Sequence, residues 1–294
     1  MNKVGFIGVG IMGKSMVRNL MKAGFELHIY ARTKSKVEDV IGEGAQFHES
    51  IKDCVQDCDA VITIVGFPQD VEEVYFDEGN ILDSAKEGAY LIDMTTTSPQ
   101  IAEKIYEEGT KRGFHVMDAP VTGGDAGAKA GTLSILVGGE KEDYEACMPL
   151  FEAMGTNINY QGKAGCGQHC KLANQIMIAG TLSGVCEALT YAKEQGLDPE
   201  VFMKSVATGA AGSKQLDTFG PKILKDDYAP GFFMKHFIKD MKLALIEANR
   251  KGLSLDVLSM VLANYEELEQ EGYGDLGTQA LMKFYDEEHR NTEE

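Results

Sequence analysis

The chain is poor in basic residues and in proline. It has 28 Lys and Arg against 46 Asp and Glu, a formal net charge of −18, and its 33 Gly and 7 Pro follow no fixed repeat. A nucleic-acid binder needs a basic surface that replaces phosphate counterions, and anionic membranes also attract basic segments. We therefore expect neither a nucleic acid nor a membrane as partner. The composition also argues against a fibrous or low-complexity chain.

Signals for export and for metal binding are absent as well. The start, MNKVGFIGVG, lacks a basic region followed by a long apolar core, so no signal peptide is predicted. The uncharged run 172–186 has 15 residues, which is too short to span a membrane and predicts a buried helix. The six cysteines include two CxxxC pairs, but no His or Cys cluster completes a usual metal site. We expect a cytoplasmic protein with free thiols and no bound metal.

The first half of the chain alternates strand-like and helical segments. Short apolar runs predict strands at 4–7, 27–30, 60–65, 89–94, 114–119, 132–139 and 157–162. Amphipathic segments between them predict helices at 14–23, 35–42, 99–111 and 142–154. Such alternation is typical of βαβ units, in which helices cover both faces of a mostly parallel sheet.

After Gly162, helical patterns replace the strand signals. Residues 169–195 predict one long helix of roughly 40 Å. Asp198 and Pro199 suit the N-cap and first position of the next helix, and further helices are predicted at 211–225, 235–251, 254–271 and 277–289. The predicted fold is therefore α/β: an N-terminal Rossmann dinucleotide-binding domain (1–162), then an all-α domain (163–294), joined by a long interdomain helix.

A glycine-rich loop follows the first strand. Gly8, Gly10 and Gly13 form a GxGxxG pattern with Ile11 and Met12 at the start of the following helix. The first glycine allows a tight turn, the second leaves room for a pyrophosphate, and the third lets the helix pack closely. The helix N-terminus then supplies N–H groups to the anion. Because the pattern lies in a strand–turn–helix context, it predicts a dinucleotide site.

The end of the second predicted strand indicates which dinucleotide binds. An NAD site places Asp or Glu there to accept from the ribose 2′-OH. This chain instead has Arg32, Thr33 and Lys36, which can bind a 2′-phosphate. The segment predicts NADP as the cofactor, with NAD still possible.

Four segments resemble the β-hydroxyacid dehydrogenase family, which includes 3-hydroxyisobutyrate dehydrogenase. They are GFIGVGIMGKSM at the N-terminus, 118–139, 165–175 and 237–245, in the family's order and spacing. The resemblance covers nearly the whole chain. It implies an NAD(P)-dependent oxidoreductase that acts on small hydroxy acids or the matching semialdehydes, assembled as a homodimer or homotetramer.

The second segment is implied to bind the substrate carboxylate. Gly123 and Gly124 can expose backbone N–H groups to an anion, and Thr122 adds a hydroxyl donor. The family usually has Ser at the position of Thr122, so the extra methyl predicts a slightly different pocket shape. Taken without the other segments, the two glycines are equally consistent with a turn between strands.

The third segment is implied to be catalytic. Lys171, Asn174 and Gln175 share one helix face, because they are spaced i, i+3 and i+4. By resemblance Lys171 is the general acid/base, and a desolvated ammonium would have a lowered pKa. Asn174, with or without Gln175, would orient the substrate hydroxyl. The family often has Asn in place of Gln175, which leaves open which amide does so.

The remaining cofactor contacts follow from strand ends and from the fourth segment. Ligands bind at the carboxyl ends of parallel strands, which predicts contacts from Val65 and Gly66. Thr96 matches a family position that contacts the cofactor, and Lys239 is implied to reach its nicotinamide side. The simpler interpretation of Lys239 is a surface cation paired with Asp240 or Glu247.

The sequence thus predicts an NADP(H)-preferring dehydrogenase of a small β-hydroxy acid, with a carboxylate-bearing substrate. Two alternatives stay open: a reductase of the glyoxylate or succinic semialdehyde type, and a non-catalytic NADP-binding scaffold. Retention of Lys171 argues against the scaffold.

Overall fold

A computed structural model describes residues 1–285, which divide into two compact units. The first is Met1–Lys171 and the second begins at Leu172. The division falls inside the long predicted helix, which runs from Cys166 to Glu194. Part of the last predicted helix, 286–289, lies outside the described residues.

A nine-stranded sheet forms the centre of the first unit. Its described strands are β1 Lys3–Ile7, β2 Glu26–Tyr30, β3 Gln46–Phe47, β4 Ala60–Thr63, β5 Tyr90–Asp93, β6 His115–Asp118, β7 Val121–Thr122, β8 Leu133–Gly139 and β9 Gly155–Gly162. The order is β3-β2-β1-β4-β5-β6-β8-β7, with β9 also paired to β8. The first six strands in this order, from β3 through β2 and β1 to β6, are parallel to their neighbours. Strand β8 is antiparallel to both β6 and β7. This arrangement confirms the predicted Rossmann-type sheet.

The helices of the first unit cover both faces of the sheet. They are α1 Ile11–Lys22, α2 Glu38–Gly42, α3 Ile51–Val55, α4 Pro68–Phe76, α5 Ile81–Ser84, α6 Pro99–Lys111, α7 Gly124–Ala130, α8 Lys141–Ala146 and α9 Met148–Met154, with a 3₁₀ turn at Lys34–Lys36. Alternate β4 residues pack in different clusters, since Ile62 belongs to one core and Val61 to another. Two-sided burial explains the continuous apolar strands.

Two of the predicted helices differ from those in the structure. The helix expected over 142–154 is divided into α8 and α9, because Pro149 has no N–H to donate to the preceding turn. The last helix, expected at 277–289, is a 3₁₀ helix over Thr278–Tyr285. Its first five residues are all buried.

The second unit is helical in its described part. Its elements are the rest of α10 (Cys166–Glu194), α11 Pro199–Val206, α12 Lys214–Ile223, α13 Met234–Arg250, α14 Asp256–Gln270 and 3₁₀ turns at Tyr273–Asp275 and Thr278–Tyr285. Asp198 is the predicted N-cap, and its carboxylate accepts from the N–H groups of Glu200 and Val201. Among the described helices, α10 alone is long and apolar enough to span a membrane, a test that core helices of globular proteins also meet.

The turn from β1 to α1 uses its three glycines in different ways. Gly8 has φ +97°, and a Cβ there would lie 2.1 Å from the Ile64 carbonyl oxygen. A Cβ on Gly13 would lie 2.2 Å from the Gly8 carbonyl oxygen. On Gly10 it would meet no atom of the described residues within 4 Å. Two of the glycines are therefore required by packing, and the third leaves open space.

A buried carboxyl group lies at the end of β5. Asp93 is 2% exposed, and its Oδ1 accepts from Thr63 Oγ1 at 2.8 Å and from Thr95 N at 3.1 Å. Its Oδ2 has no hydrogen-bond partner among residues 1–285. Burial outweighs these hydrogen bonds and raises the pKa of Asp93 to about 6.

We predict that alanine at Gly8 and alanine at Gly10 lower the free energy of unfolding by different amounts. Gly8→Ala should lower the free energy of unfolding by about 3 kcal/mol or more, because positive φ and a backbone clash add. Gly10→Ala should cost less than about 1 kcal/mol, since the site is open. Urea unfolding measures both values, and equal losses would contradict the distinction.

We predict that burial of Asp93 makes the stability of the protein fall as pH rises. Its folded-state pKa of about 6 lies above the ordinary 3.8, so the native state keeps its proton while the unfolded chain ionises. The stability of the wild type relative to Asp93→Asn should therefore fall by about 3 kcal/mol as pH rises from about 4 to about 7. Urea midpoints across this window test the prediction, and parallel curves for the two proteins would contradict it.

Candidate active site

The first part of the site is the N-terminus of α1. Gly10 is the N-cap, and no side chain caps it. The following N–H groups, including those of Ile11 and Met12, have no acceptor inside the helix by geometry, so they can bind an anion. Ile11 is 50% exposed, and the space beside Gly10 is open. This turn fits the pyrophosphate of a dinucleotide.

The basic segment after β2 contacts an acidic residue from a distant part of the sequence. Arg32 forms an ion pair with Asp70, which lies in the first turn of α4. The other Asp70 oxygen accepts from Phe67 N at 2.9 Å, which fixes the carboxylate. This pairing raises the pKa of Arg32. Thr33 precedes the 3₁₀ turn that contains Lys36, and both side chains are exposed.

Predicted cofactor contacts also follow β4 and β5, which are neighbouring parallel strands. Val65 and Gly66 come shortly after β4, and Thr96 comes three residues after Asp93. Val65 N donates to Thr95 Oγ1 at 3.0 Å, which ties the two segments together. The predicted contacts from these strands therefore lie at one edge of the sheet.

The glycine pair lies between β7 and α7. Thr122 ends β7, and Gly123 is the N-cap of α7 with φ +130°. Gly124 has φ +63°, and a Cβ there would meet no described atom within 4 Å. The predicted turn is thus the start of a short helix, which the small residues GDAGAKA gave no periodic signal to predict. Its open backbone fits an incoming carboxylate.

The first turn of α10 is held by buried polar groups. Asp118 accepts from the N–H groups of Gly165 and Gln168, both at 2.8 Å. Burial raises the pKa of Asp118. The Gln168 side chain donates to Thr95 O at 2.7 Å and accepts from Thr97 N at 3.0 Å. Lys171 follows one turn later and is 8% exposed.

In the second unit, Asp240 brings three predicted residues together. Its Oδ2 accepts from Gln175 Nε2 at 2.6 Å, and its Oδ1 lies 3.0 Å from Lys239 Nζ. Asn174 Nδ2 in turn donates to Gln175 Oε1 at 2.8 Å. The Lys239 side chain is only 11% exposed and Asp240 is fully buried, so this ion pair is not a surface contact. Gln175 is hydrogen-bonded at both ends of its amide.

All six cysteines are free thiols, and burial raises the pKa of Cys58 to about 12. Among residues 1–285, no group of three or more His, Cys, Asp or Glu side chains is arranged to hold a metal ion.

Comparison with known proteins covers both units. Residues 3–162 match the NAD-binding domain of 6-phosphogluconate dehydrogenase, and residues 165–285 match the NAD-binding domain of NADP-dependent 3-hydroxyisobutyrate dehydrogenase. An uncharacterized oxidoreductase of Bacillus subtilis is 50% identical over 96% of this chain and 98% of its own length. A probable 3-hydroxyisobutyrate dehydrogenase-like mitochondrial protein of Arabidopsis thaliana is 44% identical over 95% of this chain and 84% of its own.

A solved structure agrees with these matches. The Mycobacterium tuberculosis 3-hydroxyisobutyrate dehydrogenase with L-serine has a TM-score of 0.89 and 26% identity, over 97% of this chain and 99% of its own. The chain therefore belongs to the β-hydroxyacid dehydrogenase family and is an NAD(P)-dependent oxidoreductase that acts on CH–OH groups.

Proposed function

We propose that the chain is an NADP(H)-preferring enzyme that interconverts a small β-hydroxy acid, of the 3-hydroxyisobutyrate type, and its semialdehyde. One observation carries the proposal: the buried Lys171 lies one helical turn after Gln168, whose side chain hydrogen-bonds the backbone of Thr95 and Thr97 on either side of Thr96. A lysine held in this way next to predicted cofactor contacts suits proton transfer at a reacting hydroxyl. The relatives named for 3-hydroxyisobutyrate support the substrate class.

The proton would be handled by Lys171. Hydride transfer at the carbon that bears the hydroxyl is the chemistry that the nicotinamide would supply when bound. In oxidation Lys171 Nζ takes the hydroxyl proton, and in reduction it returns that proton to the forming alcohol. Because Lys171 is 8% exposed, little bulk water competes for this transfer.

Substrate orientation would come from two groups of donors. The N–H groups of Gly123 and Gly124, with the Thr122 hydroxyl, would hold the carboxylate. Asn174 would orient the substrate hydroxyl, because Gln175 is already engaged at both ends of its amide. Gln175 then serves to hold Asn174, and Asp240 holds Gln175. Lys239, paired with Asp240, is assigned to the nicotinamide side.

We further propose that the protein is cytoplasmic and forms a homodimer or homotetramer. Helices α10 and α14 of the second unit expose large apolar side chains, including Met177 at 73%, Val257 at 59% and Met260 at 51%. A Cβ on Gly180 would contact Val257, which indicates that these helices meet there. Exposed apolar patches of this kind are typical of protein interfaces.

Replacing Lys171 tests the mechanism. Lys171→Ala should lower kcat about 10²- to 10⁴-fold with little change in NADPH affinity, because only the proton transfer is lost. Lys171→Arg is the matched control, since it keeps the charge but stays protonated and should be equally impaired. The assay follows NADPH absorbance with 3-hydroxyisobutyrate, L-serine, glyoxylate and short semialdehydes.

Undiminished turnover by Lys171→Ala would refute the proton-transfer role. Faster turnover of glyoxylate or succinic semialdehyde than of every β-hydroxy acid pair would favour the reductase alternative. Tight NADPH binding without turnover of any compound would favour the scaffold.

The cofactor preference is tested at Arg32 and its partner. Arg32→Ala should weaken NADPH binding about 10- to 100-fold, because it removes the charged hydrogen bond to the 2′-phosphate and leaves the Asp70 carboxylate unpaired near it. NADH binding should be almost unchanged. Asp70→Asn should strengthen NADPH binding several-fold, because it frees the guanidinium from a competing carboxylate. Cofactor dissociation constants from fluorescence titration give both results.

Lys34→Ala is the matched control for charge. Lys34 Nζ lies 3.4 Å from Glu49 Oε1. The substitution therefore removes one nearby cation and leaves Arg32 and Asp70 unchanged. Its effect on NADPH binding should be small. A preference for NADH that Arg32→Ala leaves unaltered would show that the proposed cofactor is wrong.

A further inference from the structure

Gln168 connects the lysine helix to the segment that carries Thr96. Its side chain is fully buried, donates through Nε2 to Thr95 O and accepts through Oε1 from Thr97 N. The amide therefore pairs with the backbone on both sides of Thr96, as a neighbouring strand would. A Gln side chain can satisfy one donor and one acceptor at once, whereas an aliphatic side chain would leave both backbone groups unpaired.

Asp118 holds the same turn of α10 from another strand. Its two carboxylate oxygens accept from Gly165 N and Gln168 N, so β6 bonds the backbone where the helix begins. A Cβ on Gly167 would lie 2.7 Å from Asp118 O and 2.3 Å from Leu136 O, so the helix backbone is packed directly against the strands. The first turn of α10 is thus fixed by β6, β8 and the segment that follows β5.

Lys171 lies three residues after Gln168, hence nearly above it on the same side of the helix. A shift of the first turn would move the lysine Nζ together with it. A shift of about 1 Å in a reacting group can cost on the order of 10²-fold in rate. The rigid attachment of this turn therefore provides the accurate placement of Lys171 that proton transfer requires.

We infer that Gln168 and Asp118 are positioning residues of the reaction, which fix Lys171 relative to the cofactor-contacting segment around Thr96. The inference rests on the proposed function, because it assigns the proton transfer to Lys171. Neither residue is taken to touch the substrate. Gln168 acts through two backbone groups beside Thr96 and through the helix turn that leads to Lys171.

The test removes the Gln168 hydrogen bonds with little change in size. Gln168→Met should lower kcat about 10- to 100-fold, and it should shift the limb of the pH profile of kcat/KM that disappears in Lys171→Ala. In a Lys171→Ala background the same substitution should lower the residual kcat less than about 3-fold, because the group that Gln168 positions is gone. Thermal unfolding is measured in parallel.

Gln279→Met is the matched control. Gln279 is also fully buried, and its Nε2 donates to the carbonyl oxygens of Asp227 and Ala229. The substitution should lower the melting temperature in a comparable way but leave the pH profile in place. If Gln279→Met moves that profile as much as Gln168→Met does, Gln168 has only a general structural role and the inference is overturned.

Gln168→Glu provides a variant that keeps the side-chain shape if Gln168→Met does not fold. Its protonated carboxyl group can donate to Thr95 O and accept from Thr97 N, so activity relative to wild type should be highest at acidic pH. It should fall as the carboxyl ionises and loses its donor, and a ratio that stays constant with pH would overturn the inference. Asp118→Asn should weaken turnover in the same direction as Gln168→Met.

Failures of the two proposals can be told apart. Loss of turnover in Lys171→Ala with wild-type kcat and pH profile in Gln168→Met would overturn the positioning role alone. Full turnover in Lys171→Ala would overturn the proposed function and, with it, this inference.

Discussion

The need to pair buried polar groups at the carboxyl edge of the sheet governs the arrangement of the site. Parallel strands end there with unpaired backbone groups, and burial makes each unmade hydrogen bond costly. Asp93, Asp118 and Gln168 are all nearly or fully buried at this edge, and their partners are mostly backbone N–H and C=O groups. The loops that carry cofactor and substrate contacts are therefore fixed by the groups that complete the strand ends. The same burial leaves one Asp93 oxygen without a partner among the described residues, so part of the arrangement is maintained at a cost in stability.

Local patterns were sufficient to predict most of the elements that position the site. The β1–α1 turn, the parallel strands and the long helix each follow from runs of apolar residues, glycine placement or a cap, all of which act within a few residues. Short elements escaped prediction for the same reason. Helix α7 consists of GDAGAKA, which has no large apolar residue to mark a buried face, and β3 has only two residues.

Contacts between distant residues could not be predicted from those patterns. Gln168 is separated from Thr95 by 73 residues, and Arg32 from Asp70 by 38. No single-sequence spacing relates such pairs, because their meeting depends on strand order. The Asp70 contact matters most for interpretation: the segment after β2 has the basic residues of an NADP site, yet its main cation already has an anionic partner. The pairing of Lys239 with Asp240 was one of the interpretations open from the sequence, but the contact of Asp240 with Gln175, 65 residues away, was not.

Because Arg32 is already paired with Asp70, a 2′-phosphate can bind this guanidinium only by exchanging one ion pair for another. A 2′-phosphate that binds Arg32 would replace an existing carboxylate contact, so the net gain is the difference between two ion pairs at a solvent-exposed guanidinium. The 2′-phosphate carries about two negative charges and the carboxylate that it replaces carries one, so dissolved salt screens the two contacts unequally. Discrimination between the two dinucleotides would therefore depend on ionic strength, and the large negative charge of the chain adds to that dependence.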